Sequence, residues 1–178
     1  MTELDVSDWV PYPLPEVLAF FSDPRNLPRI MPAELDARIV SISRVPPPPP
    51  GDPAAAGPGT EIALTFRVAP PLPLRARWLA RIVAFEPGVA FEDEQAEGPF
   101  AAWRHRHEFR AERRVAGGAE VDGTIVRDLV RFEVGYGPLG TLAARLVVGP
   151  RMRAAFRHRQ AALPGMLAAA RDAAGQPR

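Results

Sequence analysis

The 178-residue chain contains no cysteine. Disulfides, thiolate metal centres and a cysteine nucleophile are therefore all excluded. Lysine is absent as well, so the 22 basic residues are all arginine. With many Ala, Pro and Gly residues alongside, this reads as the codon bias of a GC-rich genome and not as an arginine-selected surface. Net charge is only +1, which leaves no electrostatic footprint for nucleic acid. No apolar run approaches the length needed to span a bilayer, so no integral membrane association is expected. The start, MTELDVSDWV, has neither a basic opening nor an apolar core, so no leader is expected and the reading is cytoplasmic. No internal repeat is visible.

What is present is an ordinary globular composition, 47% hydrophobic and 24% charged, in a length that suits one domain. We place that domain at residues 1–171 and a flexible tail at 172–178. ELDVSDWV is a plausible first strand. In PYPLPEVLAFFSDPRNLPRIMP, Pro15 fits a first helical turn, and Val17, Leu18, Phe20 and Phe21 give an apolar face. Asp23-Pro24 stops that helix, and Asn26 is placed to cap a second, ending near Met31-Pro32. LDARIVSISRV, GTEIALTFRV, LRARWLARIVAFEP, VAFEDEQ, AAWRHRHEFRAERR and EVDGTIVRDLVRFEV then read as six strands. Gly- and Pro-rich turns separate most of them. Residues 46–59 between the first two, beginning with five prolines, predict an exposed polyproline-like insertion.

After Gly135 the period becomes helical. Leu142, Leu146, Met152, Phe156, Leu163 and Leu167 fall near one stripe, with a kink or break expected at Gly149-Pro150. Arginines 151, 153, 157 and 159 flank the stripe, several of them on a solvated face. The order predicts an α+β helix-grip fold: a curved antiparallel sheet of about seven strands wrapped on a long C-terminal helix, with two short helices after strand 1.

Side chains alternate along a strand. In WRHRHEF, Trp103, His105, His107 and Phe109 share one face, while Arg104, Arg106, Glu108 and Arg110 share the other. The face with Trp and Phe is the buried one, so both histidines point inward. A hairpin through Glu97–Phe100 sets Gln95 opposite Trp103, Asp93 opposite His105 and Phe91 opposite His107. The same register sets Glu94 across from Arg104 and Glu92 across from Arg106 on the wet face. A slip of one residue would bury the arginines, at prohibitive cost. Centring the next turn on Gly117-Gly118 brings Asp128 opposite His107, or opposite His105 if a bulge intervenes. Val126, Val130 and Phe132 share its face.

The words PLPEVLAFFSDPRNLPRIMP, FEDEQAEGPFAAWRHRHEF, DGTIVRDLVRF and GPLGTLAARLVV, with FRHR downstream, resemble the SRPBCC superfamily. That superfamily includes START lipid-transfer domains, the birch-pollen-allergen fold and aromatic polyketide cyclases. The likeness spans nearly the whole chain, and the middle word is its most specific part. Residues 46–59 depart from the usual short connection. The resemblance implies a cavity between sheet and helix that holds an apolar ligand, and it implies no reaction. Trp78, Phe91, Trp103, Phe109, Val126, Val130, Phe132, Met152 and Phe156 would wall it. Asp93, Gln95, His105, His107 and Asp128 would be its inward polar groups.

Three readings of that polar group stay open. It is a self-satisfied network that fixes register, the polar end of a ligand cavity, or an acid–base site. In the last case His107, Asp128, His105 and Asp93 are the catalytic candidates, for an aromatase/cyclase-like reaction. Two histidines and two aspartates suit zinc or iron in principle. In this register, however, each imidazole faces its own carboxylate, so no metal and no cofactor are expected. No Ser-His-Asp arrangement or phosphate loop is present. The expected partner is a hydrophobic small molecule, lipid- or polyketide-like, held by a carrier in preference to an enzyme. An interaction module using the proline run is a third possibility.

Overall fold

A computed structural model of the chain describes residues 1–44, 56–68 and 73–175. Strand β1 (Thr2–Val10) leads into helices α1 (Leu14–Ser22) and α2 (Leu27–Ile30), joined by a 3-10 turn at Pro24–Asn26. Six strands follow: β2 (Arg38–Ser43), β3 (Glu61–Arg67), β4 (Arg75–Glu86), β5 (Ala90–Glu97), β6 (Ala102–Ala116) and β7 (Ala119–Glu133). A short helix α3 (Gly137–Ala143), a π-helical turn (Ala144–Val148) and helix α4 (Gly149–Gly175) complete the chain. The helix-grip expectation holds. The seven strands form one sheet in the order β1-β7-β6-β5-β4-β3-β2. Every neighbouring pair is antiparallel.

The turns follow from their residues. Gly117 and Gly118 both have positive φ, 59° and 84°, as a two-residue type I′ hairpin requires. That turn sets Ala116 opposite Ala119 and carries the ladder down to Ala102 opposite Glu133. At Pro87-Gly88 the proline presets one φ and Gly88 takes the positive one, φ 77°, closing β4 onto β5. Pro15 sits in the first turn of α1, and Asp23 caps the following 3-10 turn by accepting from Arg25 N. Asn26 precedes α2 without capping it. Its amide instead donates to Phe20 O at 2.8 Å, tying the end of α1 to α2.

Most of the predicted insertion lies outside the described residues. At its end, Ala56 is buried and its amide donates to Ser22 O at 2.8 Å. Gly59 and Thr60 already pair with Ile82 of β4. At the other end of the chain, α4 continues through Gly175, past the boundary placed at residue 171. No helix among the described residues is long and apolar enough to cross a membrane.

The helical stripe is corrected at its start. Leu142 and Leu146 are 55% and 67% exposed, whereas Phe156, Leu163 and Leu167 are buried. The expected break at Gly149-Pro150 is a π turn just before it. One extra residue per π turn rotates everything beyond it by about 100° relative to a continuous α-helix. A single stripe therefore cannot run through both sides.

The concave face holds two main apolar clusters. One joins Phe20 and Phe21 of α1 to Phe109, Val126, Leu163 and Leu167. The other joins Leu4, Trp103, Val130 and Phe132 to Ala144 and Phe156. Fully burying a side chain such as Phe132, 0% exposed, contributes roughly 1.5–3 kcal/mol. The space between these clusters is polar.

Candidate functional site

Strand β6 presents Trp103, His105, His107 and Phe109 to the interior and leaves Arg104 and Arg110 exposed. Both histidines are 6% exposed. The predicted register is observed: Asp93 lies opposite His105, Phe91 opposite His107, and His107 opposite Asp128. Glu94 lies opposite Arg104 and Glu92 opposite Arg106. On the wet face, Arg104 takes Glu92 at 3.1 Å and Glu94 at 3.8 Å. Arg106 turns away from Glu92, to Glu86 and Glu108, each at 2.9 Å. These exposed pairs contribute little stability, though the charge pattern opposes slippage.

The histidines do not each take one carboxylate. Both lie between two. His105 Nε2 is 3.0 Å from Asp128 Oδ1, and its Nδ1 is 3.7 Å from Asp93 Oδ2. His107 Nδ1 is 3.1 Å from the same Asp128 oxygen, and its Nε2 is 3.5 Å from Asp93 Oδ2. The two rings stand 3.8 Å apart. His107 also stacks on Phe91 at 4.2 Å, and His105 meets the edge of Phe156 at 5.3 Å.

A fifth member comes from α4. Arg159 is 5% exposed and forms an ion pair with Asp128, which is fully buried. Its guanidinium lies 4.8 Å over the Phe156 ring and 5.6 Å over that of Phe21. Arg151, Arg153 and Arg157 of the same helix are exposed, as expected of a solvated face. Arg159 and its buried neighbour Gln160 were not among the predicted site residues. The signal was there: Arg159 and Gln160 stand three and four residues after Phe156, on the face that carries it into the core.

Burial sets the electrostatics. It pushes both imidazoles below their ordinary value, His105 furthest. For His105, neighbouring His107 adds to that push; for both rings Asp93 opposes it and Arg159 reinforces it. Both rings are thus neutral at neutral pH. Burial also pulls Arg159 down to about 9, with Asp93 opposing. It stays cationic.

Several buried polar atoms here have no hydrogen-bond partner: Trp103 Nε1, His107 Nδ1, Arg159 Nε and Gln160 Nε2. Such a group costs about 1–3 kcal/mol when nothing satisfies it. Trp103 and His107 belong to β6, and Arg159 and Gln160 to α4.

Gln95 is not part of this group. Its amide donates to Phe100 O at 2.8 Å and accepts from Phe100 N at 3.2 Å. Closing the β5–β6 turn uses both ends of that side chain. The aromatic wall is assembled largely as expected. Trp78 meets Trp103 edge-on at 4.9 Å and Phe100 at 5.8 Å. Phe109, Val126, Val130, Phe132 and Phe156 are buried, and Met152 is half-buried against them.

Trp103, Phe132, Phe156 and Met152 pack together between sheet and helix. Two hollows of about 200 and 210 Å³ lie elsewhere, one beside Leu4, Phe132 and Pro150, the other beside Val40, Leu64 and Trp78. Neither reaches the His–Asp cluster.

The profile of the polyketide cyclase/dehydrase and lipid transport family matches residues 10–163. The chain belongs to that family. This SRPBCC protein shares its fold with TTHA0849 from Thermus thermophilus, at 20% identity and a TM-score of 0.65 over 95% of this chain and 99% of that one. Ara h 8.0201 matches at 17% identity and a TM-score of 0.53, over 94% and 98% of the two chains. Norcoclaurine synthase from Thalictrum flavum matches at 14% identity and 0.53, over 91% and 86%. At these identities the likeness concerns the fold alone. No curated protein sequence matches the chain.

Proposed function

We propose that this SRPBCC protein binds an apolar or aromatic small molecule against the concave face of its sheet, with an oxygen-bearing end held by the buried polar groups around Arg159. The unsatisfied atoms of Trp103, Arg159 and Gln160 carry this reading. Donors in a dry interior need an acceptor, and a ligand oxygen supplies one. An incompletely sealed apolar strip supports it. Leu27, Met31, Ile42, Phe66 and Trp78 are half-buried around the β3–β4 part of the concave face, and Met152 of α4 and Trp78 are half-buried against the same Trp103–Phe156 cluster. A flat or chain-like body lies along that strip once Met152 and Trp78 give way. Methionine is the side chain best suited to repacking around such an occupant.

The test is native mass spectrometry of the protein purified from its own host, with identification of whatever co-purifies. A retained small molecule with an apolar body and one oxygen-bearing end is the expected result. His107→Gln weakens its binding about 2- to 13-fold, the equivalent of one neutral hydrogen bond of about 0.5–1.5 kcal/mol. An empty protein that also shows no saturable binding of naphthol or a fatty acid refutes the reading. Time-dependent conversion of the bound molecule by wild type, lost in His107→Gln and Asp128→Asn, replaces the carrier with an acid–base enzyme.

A further inference from the structure

A neutral imidazole has one N–H and one lone pair. His105 Nε2 stands 3.0 Å from Asp128 Oδ1 in hydrogen-bonding geometry. Asp128 is already held by Arg159, so it acts as a carboxylate and accepts that proton. The Nδ1 of His105 is then a bare lone pair, and it faces an Asp93 oxygen at 3.7 Å. His107 approaches the same two carboxylates, with its Nε2 3.5 Å from Asp93 Oδ2 and its Nδ1 3.1 Å from Asp128 Oδ1, off the direction of an N–H bond. Asp128 has Arg159 as its cation. Among the described residues, Asp93 has only the two histidines as ion-pair partners.

At 3.5 and 3.7 Å the Asp93 contacts are longer than the usual N–H···O hydrogen bond of about 2.7–3.2 Å, and only that of His107 is near enough for a weak one. They are close to the spacing of two atoms bound to one ion. Ligands at about 2.0–2.1 Å from a tetrahedral ion stand roughly 3.3 Å apart. One ligand atom from each of Asp93, His105 and His107 lies within 4.8 Å of the others.

We propose that Asp93, His105 and His107 bind one divalent transition-metal ion, and that Asp128, clamped by Arg159, orients the His105 imidazole from behind. A cation between Asp93 and the two imidazoles replaces the lone-pair repulsion at His105 Nδ1 with metal–ligand bonds. Asp128 then fills the outer position in which a carboxylate fixes the tautomer of a metal-binding histidine. The expectation of no metal rested on one carboxylate per histidine, and the shared arrangement removes that premise. Two imidazoles and one carboxylate suit zinc or ferrous iron over calcium or magnesium. The site stands on these five side chains and does not depend on the ligand proposed above.

The full-length chain, purified without a histidine tag and stripped with EDTA, is titrated with Zn²⁺ in competition with a chromophoric chelator. One saturable equivalent is expected, with a rise in melting temperature that Asp93→Asn abolishes. Asp128→Asn weakens binding about 10- to 100-fold, and Asp93→Asn and His105→Ala weaken it further. His158→Ala, altering the exposed histidine of α4, changes nothing. Asp93 is at the edge of the cluster, its side chain 14% exposed, so the isosteric Asp93→Asn tests the site in a folded protein. As a second readout, Co²⁺ gives visible ligand-field absorption in wild type and none in Asp93→Asn. Absence of a saturable equivalent, several weak equivalents, or wild-type affinity in Asp93→Asn overturns the proposal.

Discussion

Arg159 of the C-terminal helix and Asp128 of β7 form an ion pair from which water is excluded, with exposures of 5% and 0%. The pair ties the helix to β7, one strand in from the sheet edge, at the same carboxylate that both histidines approach. Removing one partner of a buried pair strands the other charge. Arg159→Met should therefore cost about 3–5 kcal/mol in urea denaturation. Asp128→Asn combined with Arg159→Met, which removes both charges, should lie closer to wild type than Arg159→Met alone. A loss below about 0.5 kcal/mol for the single change would place Arg159 in water.

The π turn makes a contrasting pair of predictions on one apparent stripe. Phe156→Ala should destabilise by about 3–5 kcal/mol, because the ring packs among Trp103, Val130 and Phe132. Leu146→Ala, ten residues earlier and 67% exposed, should stay within about 0.5 kcal/mol. Thermal or chemical denaturation of the two variants checks the phase of the helix directly.

Gly123 of β7 lies under the ring of Trp9, and a Cβ there would collide with the indole. The ring cannot swing aside freely, since Trp9 Nε1 donates to Glu112 O at 2.8 Å. Gly123→Ala should cost about 1–3 kcal/mol, the range for overpacking a fitted contact. Trp9→Leu in the same background should recover part of the loss. An equally stable Gly123→Ala protein would show that the contact is loose.

Asp36 accepts from Arg38 at 2.9 Å and from Arg75 at 2.8 Å. Those hydrogen bonds, Arg38 first, hold its carboxyl below the ordinary value of 3.8. A carboxylate depressed on folding contributes stability above its unfolded value, and loses it as pH falls through the folded one. Asp36→Asn should therefore be less stable than wild type at pH 6, with the gap closing below about pH 4. Asparagine tolerates the left-handed backbone at this position, φ 43°, so the comparison isolates the charge. A gap that is unchanged between pH 6 and pH 3 would remove the arginines as its cause.

The run of hairpins from β3 to β7 and the inward face of β6 were legible from the chain because sheets have a period of two residues and tight hairpins leave one register, whereas the pairing of β1 with β7 was not. Trp and Phe on one face of WRHRHEF, and arginines on the other, admit one orientation. Counting from the Gly117-Gly118 turn then places Asp128 opposite His107 in the absence of a bulge, and the β6–β7 ladder runs without one. Both Asp93–His105 and His107–Asp128 therefore follow from local rules.

The deeper part of the site did not. A strand pairing names the neighbour across the ladder, but an imidazole reaches diagonal partners as well, so both histidines share both aspartates. Gln95 points the expected way, yet the backbone of Phe100 takes its amide. Helical periodicity assigns a residue to a face only within one unbroken helix, and the π turn at 144–148 resets that phase. Which of the neighbouring arginines enters the core was decided by docking: Arg159 pairs with the buried Asp128, while Arg151, Arg153 and Arg157 stay exposed. Local alternation determined where the histidines point; only long-range packing of α4 decided what they face.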